Sequence, residues 1–255
     1  MIYYRNGKFV EDLVDMDLSQ PAFRTGYGFF ETIAWNGRKA CHLDLHLKRA
    51  RVSLKEFSVF EESIDYEKII SEVIEANALT GRFARVNIFF PVEKSKTFPI
   101  ITAVLFEHDP ERIWSLMVAK DIFLTGLMRH KTMNRMDYLY AWQTAHESGF
   151  DDAVLTDFEG RVLESSVASL LFKKGDMYIE PQTYYKLPGT SQEIAAKHLK
   201  IESKPVLLES VHEFDYVFAL NTLGGMIPVS AIGDVVFDTE HETSRKISDI
   251  ILELN

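Results

Sequence analysis

The sequence predicts an α+β or mixed α/β fold in two lobes, and three observations carry that reading. Candidate strands and amphipathic helices are mixed through both halves of the chain. The length of 255 residues exceeds one typical domain of ~100–150 residues. A polar, proline-containing stretch, His108-Asp109-Pro110-Glu111-Arg112, interrupts the pattern near the middle. The expected division is a small N-terminal lobe over residues 1–107, a linker at 108–112, and a larger C-terminal lobe over 113–255.

The elements follow in chain order. Ile2-Tyr3-Tyr4 and Lys8-Phe9-Val10 flank Arg5-Asn6-Gly7, a hairpin signal. Residues 28–35 are β-rich and stop at Asn36-Gly37, a strong turn dipeptide. Leu43, Leu47, Ala50, Leu54 and Phe57 recur at helical spacing over 42–57, and Ile69, Ile70, Val73 and Ile74 over 66–79. Strands are expected at 83–90 and 100–106. Beyond the linker come a strand at 116–123, a helix at 134–148 ended by Gly149, and short strands at 152–156, 169–172 and 177–179. Asp151-Asp152 marks a strand entry. A helix at 190–199, a strand at 216–220 and a terminal helix at 240–254 complete the pattern.

Composition narrows the partners. A net charge of −10 argues against nonspecific binding to nucleic acid or an anionic membrane, because neutralising phosphates needs clustered Lys and Arg. A small anionic ligand needs only a local basic pocket. Cys41 is the single cysteine, so no intrachain disulfide or CxxC metal site forms. The first residues lack the basic-then-apolar order of a signal peptide, and no apolar run reaches the ~18–20 residues of a membrane helix. A cytoplasmic, soluble chain is the expectation. His42, Asp44 and His46 are spaced for at most two ligands on one helix face, and no metal is expected there.

Several residues have the chemistry of a site. Lys131 stands just before an amphipathic helix, in His130-Lys131-Thr132-Met133-Asn134-Arg135. It is either a solvated surface amine or one that forms a Schiff base. Glu164 follows 33 residues later, as a strand-end surface acid or as the acid facing a pyridine nitrogen. Leu187-Pro188-Gly189-Thr190-Ser191-Gln192-Glu193 is a turn entering a helix, with a capping-box pattern from Thr190 to Glu193. Backbone N–H groups at such a start favour an anion, although a plain cap has the same pattern. Asn221-Thr222-Leu223-Gly224-Gly225 is a second glycine-containing loop with a hydroxyl. Arg49, in His46-Leu47-Lys48-Arg49, is an exposed helix charge or a fixed cation for a phosphate. An amine, an acid and a phosphate cradle are the set that pyridoxal-5′-phosphate (PLP) requires. Tyr138, Tyr140 and Trp142 read as helix packing.

In this order the motifs resemble the class IV, or fold-type IV, PLP-dependent aminotransferase family. That group includes branched-chain and D-amino-acid aminotransferases and aminodeoxychorismate lyase. The resemblance runs from about Phe23 to Pro228. Gly26-Tyr27-Gly28-Phe29-Phe30-Glu31 is similar to the family's Gly-x-Gly-x-Phe-Glu strand, and His46 to Arg49 to its His-x-x-Arg motif. Leu187 to Ser191, and Asn221-Thr222 with Pro228-Val229, resemble its phosphate loops. The resemblance implies PLP as cofactor, a Schiff base at Lys131, and Glu164 at the pyridine nitrogen. Arg49, Thr190, Ser191, Thr222 and Leu223 would surround the phosphate, and the protein would be a homodimer. Tyr27, Gln192, Ser169 and Ala34 depart from frequent Asp, Arg, Asn and basic residues, and residues 82–90 lack the usual Arg-Gly-x-Gly loop. These departures bear on substrate choice more than on cofactor binding.

For the reaction, the expectation leans to an aminodeoxychorismate-lyase-like elimination of pyruvate giving 4-aminobenzoate. The Lys-Thr-x-Asn-Arg run resembles the lyase subgroup, Thr32 shares a strand face with Phe30 where a hydroxyl helps protonation, and the chain is short. The alternative is a transaminase for branched-chain or D-amino acids with a 2-oxo acid acceptor. An inert PLP-fold binding protein is a third reading, disfavoured by the joint retention of Lys131, Glu164 and Arg49.

Overall fold

The computed structural model describes residues 1–11, 17–121 and 124–254, which form two compact α+β units. The first comprises Met1–His108 with His130–Asn134, and the second Asp109–Arg129 with Arg135–Asn255.

In the first unit the elements are β1 (Ile2–Arg5), β2 (Lys8–Glu11), α1 (Pro21–Thr25), β3 (Gly28–Asn36), α2 (Leu43–Glu56), β4 (Phe60–Glu61), α3 (Tyr66–Ala76), β5 (Phe83–Glu93), β6 (Lys96–Thr97) and β7 (Ile100–Leu105). Among the described residues they build a seven-stranded sheet in the order β2-β1-β7-β5-β6-β4, with β3 paired to β5. β3 and β5 run antiparallel in continuous register, from Gly28 opposite Pro91 to Asn36 opposite Phe83. Strand alternation sends Phe29, Ile33 and Trp35 of β3 and Val86, Ile88 and Phe90 of β5 into one core. α2 covers it with Leu47, Ala50 and Leu54, and α3 with Ile70, Val73 and Ile74. Each such fully buried side chain contributes about 1.5–3 kcal/mol of transfer free energy. α3 starts where the Asp65 carboxylate accepts the Lys68 N–H. The turn after β3 needs Gly37 at φ +89°, and Asn36 accepts the Arg38 and Lys39 N–H groups across it.

In the second unit β8 (Trp114–Val118), α4 (Met136–Glu147), β9 (Asp152–Thr156), β10 (Val162–Ser165), β11 (Ser169–Lys174), β12 (Met177–Pro181), α5 (Thr190–Ala195), β13 (Ile201–Lys204), β14 (Tyr216–Asn221), β15 (Gly225–Ile232), β16 (Val235–Val236) and α6 (Glu242–Ile251) follow one another. A nine-stranded sheet of the described residues runs β10-β9-β8-β15-β14-β11-β12-β13, with β16 on β15. The β8/β9, β8/β15 and β12/β13 pairs are parallel and the others antiparallel, so the sheet is mixed. Ala141 and Ala145 of α4 pack on Ala153 of β9, small side chains that let the helix lie close to the strand.

The structure departs from the sequence expectations at several boundaries. The strand expected over 116–123 occupies Trp114–Val118, and positions 122 and 123 of that expectation lie outside the described residues. The helix expected over 190–199 ends at Ala195, where Lys197 and His198 donate to Ile194 and Ala195 in tighter i−3 bonds. β15, β13 and the two-residue strands β4, β6 and β16 were not expected, and β10 was expected only as a strand end at Glu164. β15 is masked in sequence by Pro228, which is tolerated because parallel pairing with β8 begins only at Val229.

One fold feature sets up the site. Residues 131–133 lie along the edge of β3 that β5 leaves open. Phe30 N–H donates to the Lys131 carbonyl and Met133 N–H to the Gly28 carbonyl, both at 2.9 Å, around a Phe29/Thr132 bridge. A Cβ at Gly28 would stand 2.6 Å from the Phe90 carbonyl oxygen and 2.7 Å from the Met133 sulfur, so only glycine lets this approach occur. Gly28→Ala should therefore lower stability by about 1–3 kcal/mol, seen as a reduced urea midpoint at unchanged slope. A wild-type midpoint would show that the contact relaxes freely.

Candidate active site

Alternation along β3 places different chemistry on its two faces. Opposite the core, the Lys131 amine lies 4.6 Å from the centroid of the Phe30 ring, which stacks on Phe89 at 6.1 Å. Thr32, two residues on, is paired with Asn87. Asn87 Nδ2 donates to Thr32 Oγ1 at 2.9 Å and to the Glu31 carbonyl at 3.2 Å. The carbonyl can only accept, so it fixes the amide orientation and makes Thr32 Oγ1 an acceptor from Asn87. The threonine proton is therefore not given to Asn87. Ala34, where a basic residue is frequent, stands across from the exposed Arg85, so a guanidinium is present one strand over.

On the core side Glu31 is fully buried. Its carboxylate accepts from His46 Nδ1 at 2.8 Å, Arg49 Nε at 2.9 Å and Arg49 Nη2 at 2.5 Å. His46 and Arg49 lie three residues apart on α2, so both reach one carboxylate. Burial alone would raise the Glu31 pKa, but the Arg49 charge and the bonds from His46 and Arg49 outweigh it and hold it at about 2. Burial pushes His46 below its ordinary value against the pull of Glu31, leaving a neutral ring that donates from Nδ1. Arg49 is thus not a loose charge on an exposed helix face. Glu31 engages two of its five N–H groups and sets the plane of the guanidinium. His130, next to the lysine, is buried edge-on to Phe29 and Phe57, with Nδ1 2.9 Å from Ser53 Oγ.

In the second unit Glu164 lies on β10 and is 4% exposed. Its Oε1 accepts the Tyr138 O–H at 2.9 Å and its Oε2 the Leu187 N–H at 3.2 Å. The turn after β10 is held by buried Asp152, which accepts from Ser166 Oγ and from the Val167 N–H at 3.3 Å. Burial raises the Asp152 pKa against those bonds, the opposite outcome to Glu31. Thr190 and Ser191 are buried at the start of α5. The expected capping box does not form: Gly189 is the N-cap, without a side-chain bond, so the Thr190 hydroxyl is not a cap. A Cβ at Gly189 would meet Ser169 Oγ at 2.4 Å, which ties the small residue at 169 to the glycine. Gln192 donates to Glu180, a structural use of the position where arginine is frequent. Tyr27 is half-exposed. In the last loop Asn221 Oδ1 accepts the Leu223 and Gly224 N–H groups at 3.0 and 2.7 Å. The Leu223 N–H is thus engaged in its own turn, next to the Thr222 hydroxyl. Tyr138 and Asn87 were not singled out from sequence as site residues, and only the register and the helix face reveal them.

A model of the family amino-transferase class IV matches residues 28–232, most of the chain. The chain belongs to this family. Its fold is shared with a branched-chain aminotransferase from Thermoproteus uzoniensis solved with norvaline (TM-score 0.88, 19% identity, 99% of this chain and 95% of that one). A provisionally named 4-amino-4-deoxychorismate lyase from Legionella pneumophila is similar at TM-score 0.85 and 18% identity, over 96% and 97% of the two chains. A hypothetical aminotransferase from Mycobacterium tuberculosis in its PLP-bound form matches at TM-score 0.83 and 14% identity, over 99% of each chain. No helix among the described residues is long and apolar enough to cross a membrane.

The Glu31 cluster has a defined acid dependence. Its folded pKa lies below the ordinary 4.5, so its stabilisation is full above pH 4.5 and is lost as pH falls toward 2, on the order of 3 kcal/mol. Glu31→Gln should lower stability at pH 7, and the variant and wild-type urea midpoints should converge between pH 4.5 and 2. Parallel curves would show that the carboxylate is not the group titrating.

Proposed function

We propose that this protein is a PLP-dependent enzyme acting on a primary amine, with lyase-like elimination of pyruvate as its reaction. The observation that carries the cofactor assignment is the Lys131 amine, placed over Phe30 by the backbone hydrogen bonds at Lys131 and Met133. The other residues fit the same group. Glu164 is a buried acceptor carboxylate, Arg49 an oriented guanidinium, Ser191 stands at the start of α5 just after Gly189, and Thr222 in a glycine-containing loop. Arg49, Ser191 and Thr222 would hold the phosphate, with the N–H groups that open α5 at Thr190. Lys131 would hold the aldehyde carbon.

When bound, PLP supplies an electron sink that stabilises negative charge at the carbon next to the substrate nitrogen. The chain's own residues then move protons. Lys131 would serve as the general base at that carbon. Glu164, as a carboxylate, would hold a proton at the ring nitrogen. With Asn87 donating to its oxygen, Thr32 would give its own proton to a leaving enol, which supports the lyase reading. The second reading, a transaminase for branched-chain or D-amino acids, is favoured by the apolar floor of Phe30 and Phe89. A homodimer belongs to the proposal on the family resemblance.

Two measurements test it. Purified protein given aminodeoxychorismate should release pyruvate and 4-aminobenzoate, and Thr32→Val should slow this about 10²–10⁴-fold, as loss of a proton donor does, without loosening PLP. Release of glutamate from an amino-acid panel with 2-oxoglutarate, and no pyruvate, would select the transaminase instead. Arg49→Ala should weaken PLP binding more than Ser191→Ala, because charge-assisted bonds contribute about 1.5–3 kcal/mol and neutral ones about 1. The reverse order would contradict the phosphate assignment.

A further inference from the structure

We propose that Tyr138 is a positioning residue for Glu164: its phenol fixes the carboxylate in the plane and charge state in which it receives the N–H of a protonated cofactor ring. This rests on the reading above that Glu164 faces the ring nitrogen.

The geometry is specific. Two donors to Glu164 fall on different oxygens, the Tyr138 O–H at 2.9 Å on Oε1 and the Leu187 N–H at 3.2 Å on Oε2. With both oxygens engaged the carboxylate cannot rotate about its terminal torsion without breaking a bond, and that torsion is otherwise soft. The two donors come from functionally distinct places. Tyr138 is in the first turn of the helix that follows the Lys131 segment, and Leu187 directly precedes the Pro188-Gly189-Thr190-Ser191 loop.

Tyr138 is itself fixed. It is 6% exposed, packed with Met128 and Leu163, and backed by the Arg135 guanidinium 3.8 Å from its ring centroid. Burial, reinforced by the neighbouring Glu164 charge, raises the phenol pKa far above its ordinary value. The hydroxyl therefore stays protonated, and a donor, around neutral pH. A donor to a buried carboxylate favours its charged form. Removing it would make Glu164 both freer to turn and less favoured as an anion, and each change weakens a hydrogen bond from a ring N–H⁺.

The experiment compares two cofactors on the full-length chain, stripped and reconstituted: PLP, and a PLP analogue whose ring nitrogen is replaced by C–H. Dissociation constants are measured by absorbance titration, so the readout does not require turnover. Tyr138→Phe should weaken PLP at least about tenfold, the share of a hydrogen bond to a charged group, and leave the analogue within about twofold. Equal weakening of both cofactors would mean that Tyr138 only packs the site, and no weakening of either would mean that it does not act on Glu164. Both results overturn the proposal. Glu164→Gln in the same assay separates the underlying reading. If it does not discriminate between the cofactors, Glu164 does not face the nitrogen, and both ideas fall. If it discriminates and Tyr138→Phe does not, only the role of Tyr138 falls. Should Tyr138→Phe not fold, 3-fluorotyrosine at 138 keeps the ring and strengthens the donor. It must then shift PLP affinity alone, and an unchanged PLP affinity overturns the proposal.

Discussion

Two backbone hydrogen bonds hold the segment carrying Lys131 against the edge of β3, and the chemistry of the first unit follows from them. Backbone pairing fixes where a residue sits and which face its side chain takes, without using the side chain itself. Lys131 is thereby placed beside Phe30, and His130 on the other side, among Phe29, Phe57 and Ser53. The glycine at 28 is the steric condition for this pairing, since any Cβ there meets both β5 and the returning segment. The Gly-x-Gly-x-Phe-Glu pattern thus reads as one device. Gly26 and Gly28 admit the lysine segment, Phe30 floors the amine, and Glu31 turns inward to orient Arg49.

Two buried carboxylates show how partners decide charge. Glu31 and Asp152 are both fully buried, yet their pKa values move in opposite directions. Glu31 has a guanidinium against both oxygens, and that attraction exceeds the desolvation penalty. Asp152 has only neutral donors, so desolvation prevails and its charged form is disfavoured. Their uses differ accordingly. Glu31 is an electrostatic anchor for a cation, while Asp152 is a hydrogen-bonding buttress under the turn that follows Glu164.

Much of the fold was legible in the sequence where side-chain periodicity carries the information. β3 was marked by its β-rich run and the Asn36-Gly37 turn, and α2 and α3 by apolar spacing. Periodicity says nothing about which distant segment pairs with an open strand edge, so the return of residues 130–134 to the first unit was invisible. β15 was hidden because it is buried along most of its length and contains Pro228, which removes both the alternation and the usual strand composition. The Thr190–Glu193 pattern matched a capping box, but close approach to Ser169 requires glycine at 189, and the helix begins directly after it. Lys131, Glu164 and Arg49 were singled out by their order along the chain. Tyr138 was read as packing, since its burial is ordinary and only the contact to Glu164 distinguishes it.

The central claim is that backbone docking on β3 presents Lys131, and no other lysine, as the amine that holds the cofactor. Borohydride reduction of the PLP-loaded protein, followed by peptide mapping, tests this most directly. The account predicts a pyridoxyl-phosphate mass on the peptide containing Lys131 and none after Lys131→Ala. Trapping at a different lysine in the wild-type protein, or undiminished trapping in Lys131→Ala, would contradict it.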